Sequence, residues 1–349
     1  MTVEDKILTA LKTVNDPELH QDLVSLGMVD SVKLEGKHAH IKINLTTPAC
    51  PMKAQIEQDV RTALKPISEL DRVELEFGSQ VRGSQKQPIP GIKNIIAVGS
   101  GKGGVGKSTV AANIAASLAL EGADVGLLDA DIYGPSQAKM YSVEGKRLMA
   151  DEDKNIIPLK NYGVKVISIA NLVEDGQALT WRGPILHGTL NQMLNQTLWG
   201  ELDYLVVDLP PGTGDVQLSL TQLTTITGAL IVTTPQDMAL LDVKRAYTML
   251  RKTHVPVFGL IENMAYYQLP DGSRDYIFGE GSAKAWAESE KLAVMGEIPI
   301  NRSVRESGDA GKPIVLSNPD APESLAFRKA ARALAGYISV QNMMTLPVL

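Results

Sequence analysis

The sequence predicts an α/β protein: a doubly wound, mostly parallel sheet with helices on both faces, preceded by a small α+β domain. Three observations lead there. Beyond residue 90, short apolar runs alternate with helix-length segments, the pattern of βαβ units. One of those runs, IIAV, passes through a loop with four glycines into an alanine-rich helix, AANIAASLALEG. Residues 78–90, GSQVRGSQKQPIP, are rich in Gly, Ser, Gln and Pro and carry no hydrophobic period, so they read as a linker. The expected organisation is a small domain at 1–77, a linker at 78–90 and a large domain at 91–349. With 349 residues, the chain is long enough for two cores.

In the small domain, Ile7, Leu8, Leu11 and Val14 recur at helical spacing and stop at Asn15-Asp16-Pro17. Residues 29–34 and 38–45 read as two strands joined by Glu35-Gly36-Lys37. Residues 51–64 suit a helix with proline in its first turn, and 72–77 alternate as a third strand. His38 and His40 share a strand face, a potential metal pair. Lys42 and Asn44 continue that face, however, so a solvated polar surface is the preferred reading.

In the large domain, strands are expected at 95–98, 125–128, 166–169, 204–207, 230–233 and 257–261. Their continuous apolar character suits a parallel sheet covered on both faces. Such sheets bind ligands at the carboxyl ends of their strands. Residues 323–349 read as a helix with Leu325, Ala330, Leu334 and Ile338 on one side. Arg328, Lys329 and Arg332 lie nearby, but so short a basic cluster favours a docked helix over one lying on a membrane.

Composition removes several function classes. Hydrophobic residues make up 44% and charged residues 21%, which is wrong for a disordered chain. Lys and Arg number 34 against 40 Asp and Glu, a net charge of −6, so binding nucleic acid through bulk charge is not expected. The opening MTVEDKILTALKTV lacks a basic region and an apolar core, and no apolar run reaches the roughly 18 residues of a membrane span. A cytoplasmic location without stable membrane association is expected. The single cysteine, Cys50, excludes an intrachain disulfide and any zinc or iron–sulfur site built from several cysteines of one chain.

Gly101-Lys102-Gly103-Gly104-Val105-Gly106-Lys107-Ser108-Thr109 matches the phosphate-loop pattern G-x-x-x-x-G-K-[ST] between a strand and a helix. Its glycines let successive backbone N–H groups turn inward on a polyphosphate, and the helix N-terminus adds partial positive charge. Lys107 is expected on the β/γ-phosphates and the Ser108 hydroxyl on Mg²⁺. The second lysine, Lys102, is read as a cation aimed at developing phosphate charge, conceivably on a second subunit. Two apolar runs end in acids. Asp131, after Asp129 in LLDAD, is expected to position or deprotonate the attacking water. Asp208, closing LVVD, is expected to hold Mg²⁺ through water. The following LPPGTGD is a small-residue loop suited to moving when a γ-phosphate leaves.

These segments, GKGGVGKST, LLDADIYGPS, VVDLPPGTGD, TTPQ and IENM, resemble the Mrp/ApbC-type ATPases that carry iron–sulfur clusters, within the deviant phosphate-loop group that includes MinD and ParA. The resemblance covers about residues 93–314. The N-terminal segments VNDPE, LGMV and TTPACP resemble the small domain of iron–sulfur assembly factors. The resemblance implies ATP and Mg²⁺ as cofactors, phosphate contacts from Lys102 to Thr109 and an ATP-sandwich homodimer with Lys102 acting in trans. It also implies water activation by Asp131, a magnesium-linked Asp208, Asn263 near the adenine, and delivery of clusters to apoprotein clients. The family's C-x-x-C after ENM is replaced here by Leu269 and Gly272. Cys50 remains, read either as a cluster ligand with a thiol pKa lowered by the helix opening at Pro51, or as a small half-buried residue. Two other outputs compete: an ATP-dependent assembly chaperone without its own cluster, and a MinD/ParA-like positioning ATPase, for which DNA or liposome binding is the discriminator.

Overall fold

A computed structural model of the chain describes residues 2–83, 89–172 and 183–344. The chain splits into two units, 1–82 with 335–349, and 83–334. Part of the expected linker, residues 84–88, and the end of the expected terminal helix, 345–349, lie outside the described residues.

The small unit holds α1 (Val3–Leu11), β1 (Val29–Glu35), β2 (His38–Leu45), α2 (Lys53–Leu64) and β3 (Arg72–Ser79). Thr2 opens α1 with a capping box: its hydroxyl accepts from Asp5 N–H while the Asp5 carboxylate accepts from Thr2 N–H. The sheet order is β1-β2-β3, antiparallel then parallel. Burial alternates strictly along β2, so Ala39, Ile41, Ile43 and Leu45 face Ile7, Leu11, Ile56 and Val60 of the helices. Each such side chain contributes about 1.5–3 kcal/mol on burial. Gly78 and Ser79, placed in the linker by composition, extend β3.

The large unit opens with β4 (Ile92–Ser100), α3 (Lys107–Leu120), β5 (Val125–Asp129) and α4 (Gln137–Met140). A hairpin of β6 (Met149–Ala150) and β7 (Ile156–Ile157) precedes β8 (Leu159–Asn161) and β9 (Val164–Ser168). Then come α5 (Gly183–Asn195), β10 (Leu202–Asp208), α6 (Asp215–Leu223), β11 (Gly228–Thr233), α7 (Asp237–Lys252) and β12 (Val257–Asn263). A second hairpin, β13 (Tyr267–Gln268) and β14 (Arg274–Asp275), leads to α8 (Ser282–Ser289) and β15 (Ala293–Ile298). The unit continues through α9 (Arg302–Asp309) and α10 (Ile314–Ser317) into α11 (Pro322–Met344).

Eight strands form one sheet in the order β15-β12-β11-β4-β10-β5-β9-β8. Every neighbouring pair is parallel except β8–β9. Sequence placed six of these strands. It missed β8, which has three residues, and β15, whose apolar start Ala293-Val294-Met295 is cut by Gly296 and Glu297. Helix α3 is buried almost all round, which its small alanines permit.

Helix α11 departs from expectation in two ways. Ala330, Leu334 and Ile338 are buried as expected, but Leu325 is 52% exposed. Residues 335–344, assigned by sequence to the large domain, group with the small unit. There Ser339 Oγ donates to Thr46 O at 3.1 Å and Asn342 Nδ2 donates to Arg82 O at 3.0 Å. These side chains lie 293 and 260 residues in sequence from the carbonyls they reach, so no local pattern could reveal the grouping. Arg328 and Arg332 both pair with Glu121, at 3.0 and 2.7 Å, so the basic cluster is engaged by the large unit. No helix among the described residues is long and apolar enough to cross a membrane.

Candidate functional site

The carboxyl ends of the central strands converge on the loop between β4 and α3. Gly104 and Gly106 both take φ of +81°, a backbone region that side chains rarely adopt, and Gly106 opens α3 as its N-cap. A Cβ on Gly106 would lie 2.2 Å from Asn263 Nδ2, because that amide donates to Val105 O at 2.9 Å and pins the loop to the end of β12. A Cβ on Gly101 would lie 2.2 Å from the Asp242 carbonyl carbon and 2.4 Å from Val243 N, both backbone atoms of α7. Gly101→Ala is therefore expected to lower the melting temperature by roughly 5 °C or more through overpacking against a helix backbone. Thermal unfolding followed by circular dichroism checks this; a wild-type midpoint would show that α7 gives way freely.

Lys107 begins α3 and is only 6% exposed. Its Nζ lies 2.5 Å from Asp208 Oδ1, 3.6 Å from Asp131 Oδ2 and 3.1 Å from Ser108 Oγ. Asp208 closes β10 and its register partner on the next strand is Asp129. Two neighbouring strands thus deliver two acids side by side, while Asp131 follows just beyond the end of β5.

Asp129 Oδ2 accepts from Ser136 N–H and Gln137 N–H at 3.0 Å each and from the Ser168 hydroxyl at 2.9 Å. Burial first and the neighbouring Asp208 second push its carboxyl well above the usual carboxylate range. Its hydrogen bonds go to the DIYGPS turn and to β9, so Asp129 shapes the site's wall. Asp131 is also raised, by burial first, with Lys107 opposing. Its Oδ1 accepts from Gly134 N–H at 3.3 Å, which leaves Oδ2 on the Lys107 side.

Sequence reasoning missed Gln137. This side chain is fully buried, and its Nε2 donates to Asp208 Oδ2 at 2.7 Å and to Ser108 O at 3.0 Å. Its Oε1 is buried without a hydrogen-bond partner among the described residues. An orphaned acceptor on a side chain that touches Asp208, with the Ser108 hydroxyl on the same lysine as that carboxylate, is an all-oxygen donor set that fits a hydrated Mg²⁺ held by Ser108 and Asp208. The only sequence signal is its place directly after the Gly-Pro turn of DIYGPS.

Next to the loop, a cavity of about 440 Å³ is lined by Gly106, Thr109, Asn263, Met264, Ile300 and Arg305, among others. Asn263 was singled out from sequence and reaches both the loop and this cavity. Ile300 and Arg305 were not, since the turn after β15 and helix α9 carry no nucleotide signature. Lys102, Ser108 and Thr109 are half-buried along the loop, and Gly103 and Gly104 are exposed.

Leu269 and Gly272 form the turn of the β13–β14 hairpin: Gly272 N–H donates to Leu269 O at 2.9 Å, and Gly272 has φ +86°. No thiol stands there. Cys50 lies in the small unit, 8% exposed within its hydrophobic cluster. Burial pushes its thiol up to about 11, overriding the N–H groups of Met52 and Lys53 at the start of α2. The lowered thiol pKa expected from the helix terminus is thus reversed.

A mostly parallel sheet with a glycine loop feeding a helix, a lysine in the loop and an acid on the adjacent strand defines a P-loop nucleotide-binding protein. The chain belongs to the NUBPL iron-transfer P-loop NTPase family, whose model matches residues 91–335. An iron–sulfur cluster assembly protein model matches residues 4–77. The chain is 55% identical over 346 residues to an iron–sulfur cluster carrier protein of Deinococcus radiodurans, covering 99% of this chain and 98% of that one. It is 41% identical to one from Synechocystis, covering 99% and 100%. A nucleotide-binding protein from Archaeoglobus fulgidus in complex with ADP superposes with a TM-score of 0.56 at 41% identity, over 63% of this chain and 87% of that one. MinD from Pyrococcus furiosus gives 0.54 at 23% identity over 69% and 97%, a likeness of fold.

Proposed function

We propose that the protein binds and hydrolyses ATP with Mg²⁺ as a homodimer in the cytoplasm and carries iron–sulfur clusters to apoprotein clients. The observation carrying this reading is the convergence of Lys107, Ser108, Asp131 and Asp208 at the mouth of a strand–loop–helix phosphate site, beside a cavity open to a base. Loop N–H groups and Lys107 hold the phosphates, and Asn263 lies where the adenine would enter. Asp131 Oδ2 accepts the proton of the attacking water or orients it. Ser108 would hold Mg²⁺ directly and Asp208 through water, and the ion would supply neutralisation of phosphate charge there. Lys102 acts across the dimer on the partner's phosphates.

The names of the relatives, each an iron–sulfur cluster carrier protein, support clusters as cargo. With one cysteine per chain, Cys50 supplies the protein thiolate, and two copies of it leave ligand positions to a small thiol or the client. Bound iron deprotonates a thiol that burial alone keeps protonated. Anaerobic reconstitution with iron, sulfide and a small thiol is expected to load wild type and to fail for Cys50→Ser, read by bound iron and charge-transfer absorption. If neither loads, with or without ATP, the cargo assignment falls and an ATP-dependent assembly chaperone takes its place.

A further inference from the structure

The exposed face of the small sheet carries a second cluster that the nucleotide site does not use. His38 and His40 project from β2 at adjacent same-face positions, and Glu74 of β3 is the register partner of His40. Glu74 Oε2 lies 3.7 Å from His38 Nε2 and 3.7 Å from His40 Nδ1. The two imidazole rings are 4.3 Å apart between centroids. One donor atom from each of the three residues falls within 4.8 Å of the other two.

We propose that His38, His40 and Glu74 form a binding site for a divalent first-row transition ion such as Zn²⁺, Fe²⁺ or Co²⁺. A separation of 3.7 Å is too long for a hydrogen bond, so neither imidazole is satisfied by the carboxylate. It is close to the roughly 3.3 Å edge of a tetrahedral site with bonds of about 2.0–2.1 Å. Glu74 Oε2 thus stands near ligand spacing from both imidazoles, whose own donor atoms lie within 4.8 Å of each other. Independently, His38 Nε2 is enclosed and has no hydrogen-bond partner among the described residues, the orphan a metal bond would resolve.

Two nitrogens and one carboxylate select borderline ions over Mg²⁺ or Ca²⁺. Three protein ligands also leave a coordination position for water or an exchanging ligand. Electrostatic attraction alone cannot account for binding here. Around the cluster, Lys33, Lys42 and Arg72 stand against Asp30, Glu35, Glu74 and Glu76, a net of one negative charge that includes the ligand Glu74 itself, so affinity must come chiefly from ligation. The spacing of His38 and His40 was visible in the sequence; Glu74 arrives through the parallel β2–β3 pairing.

This site stands apart from the cluster reading, and its test is separable from it. The full chain carrying Cys50→Ser, stripped by chelation, is titrated with Zn²⁺ by calorimetry and with Co²⁺ by visible absorption. One ion per chain is expected, with a Co²⁺ ligand-field band. Adding His40→Ala or Glu74→Gln should weaken Zn²⁺ by at least about 10-fold, the loss that removing even an outer partner of a ligand brings, and abolish the band. His254→Ala, in the large unit, should change neither. All three side chains are partly exposed, and far-UV circular dichroism checks that each variant folds; Glu74→Gln preserves shape. Absence of binding in the Cys50→Ser chain, or equal affinity in His40→Ala and Glu74→Gln, would overturn the proposal.

Discussion

Asp131→Ala should bind ATP as wild type does and hydrolyse it ~10²-fold more slowly or worse. The argument is one of position. The loop N–H groups and Lys107, which hold the phosphates, are untouched by the substitution. What disappears is a carboxylate 8% exposed, with one oxygen anchored by Gly134 N–H and the other 3.6 Å from the Lys107 ammonium. Burial also raises its pKa, bringing the carboxylate closer to the basicity useful in accepting a proton near neutrality. Fluorescent-nucleotide titration measures the first half of the expectation and phosphate release the second. Asp131→Asn is the companion: it keeps the shape and the Gly134 contact, so a merely structural role would leave its turnover intact. Normal turnover in both variants would remove Asp131 from the chemistry.

Lys107→Ala should lose nucleotide affinity by about 10–100-fold, the worth of a charge-assisted contact, and should also be less stable without any nucleotide. Removing the ammonium strands Asp208 and Asp131 inside the site, and breaking a buried pair in this way costs about 3–5 kcal/mol. The pH dependence has a definite sign. Carboxylates whose folded pKa is raised favour the native state when protonated, and that stability is lost as pH climbs from the ordinary 3.8 toward about 7, the range burial and Asp208 set for Asp129. Asp131 is raised as well, and since Lys107 opposes that rise, removing the ammonium pushes this carboxyl higher still. The gap in melting temperature between Lys107→Ala and wild type should therefore narrow on acidification across this window. Thermal scans at several pH values decide it; a constant gap would mean that Asp131 takes up no extra proton when its cation is removed.

The phosphate loop was legible from sequence because its conformation is local: the glycines at 104 and 106 need positive φ and the flanking strand and helix are contiguous. Asp208 was legible for a similar reason, an acid closing an apolar run. Gln137 was not, since its importance lies in reaching Ser108 and Asp208 across 29 and 71 residues of sequence. Ile300, Arg305 and Glu74 escaped for the same cause. Cys50 illustrates a competition of effects: the helix start was visible and lowers a thiol pKa, but the apolar cluster that raises it more is assembled from α1, α2 and β2. In the sheet, β15 escaped because its apolar stretch is broken by Gly296 and Glu297 before it reaches strand length.

The Lys107–Asp208 pair also gives the phosphate loop an internal competitor. An entering phosphate must take the ammonium from a carboxylate already 2.5 Å away, and a lone phosphate that does so leaves Asp208 buried without a counter-charge. Lys107 can change partners at little cost only when another cation takes over Asp208. On the proposed reading, such a loop is expected to discriminate against inorganic phosphate and metal-free nucleotide alike and to tie nucleotide affinity to the concentration of divalent cation.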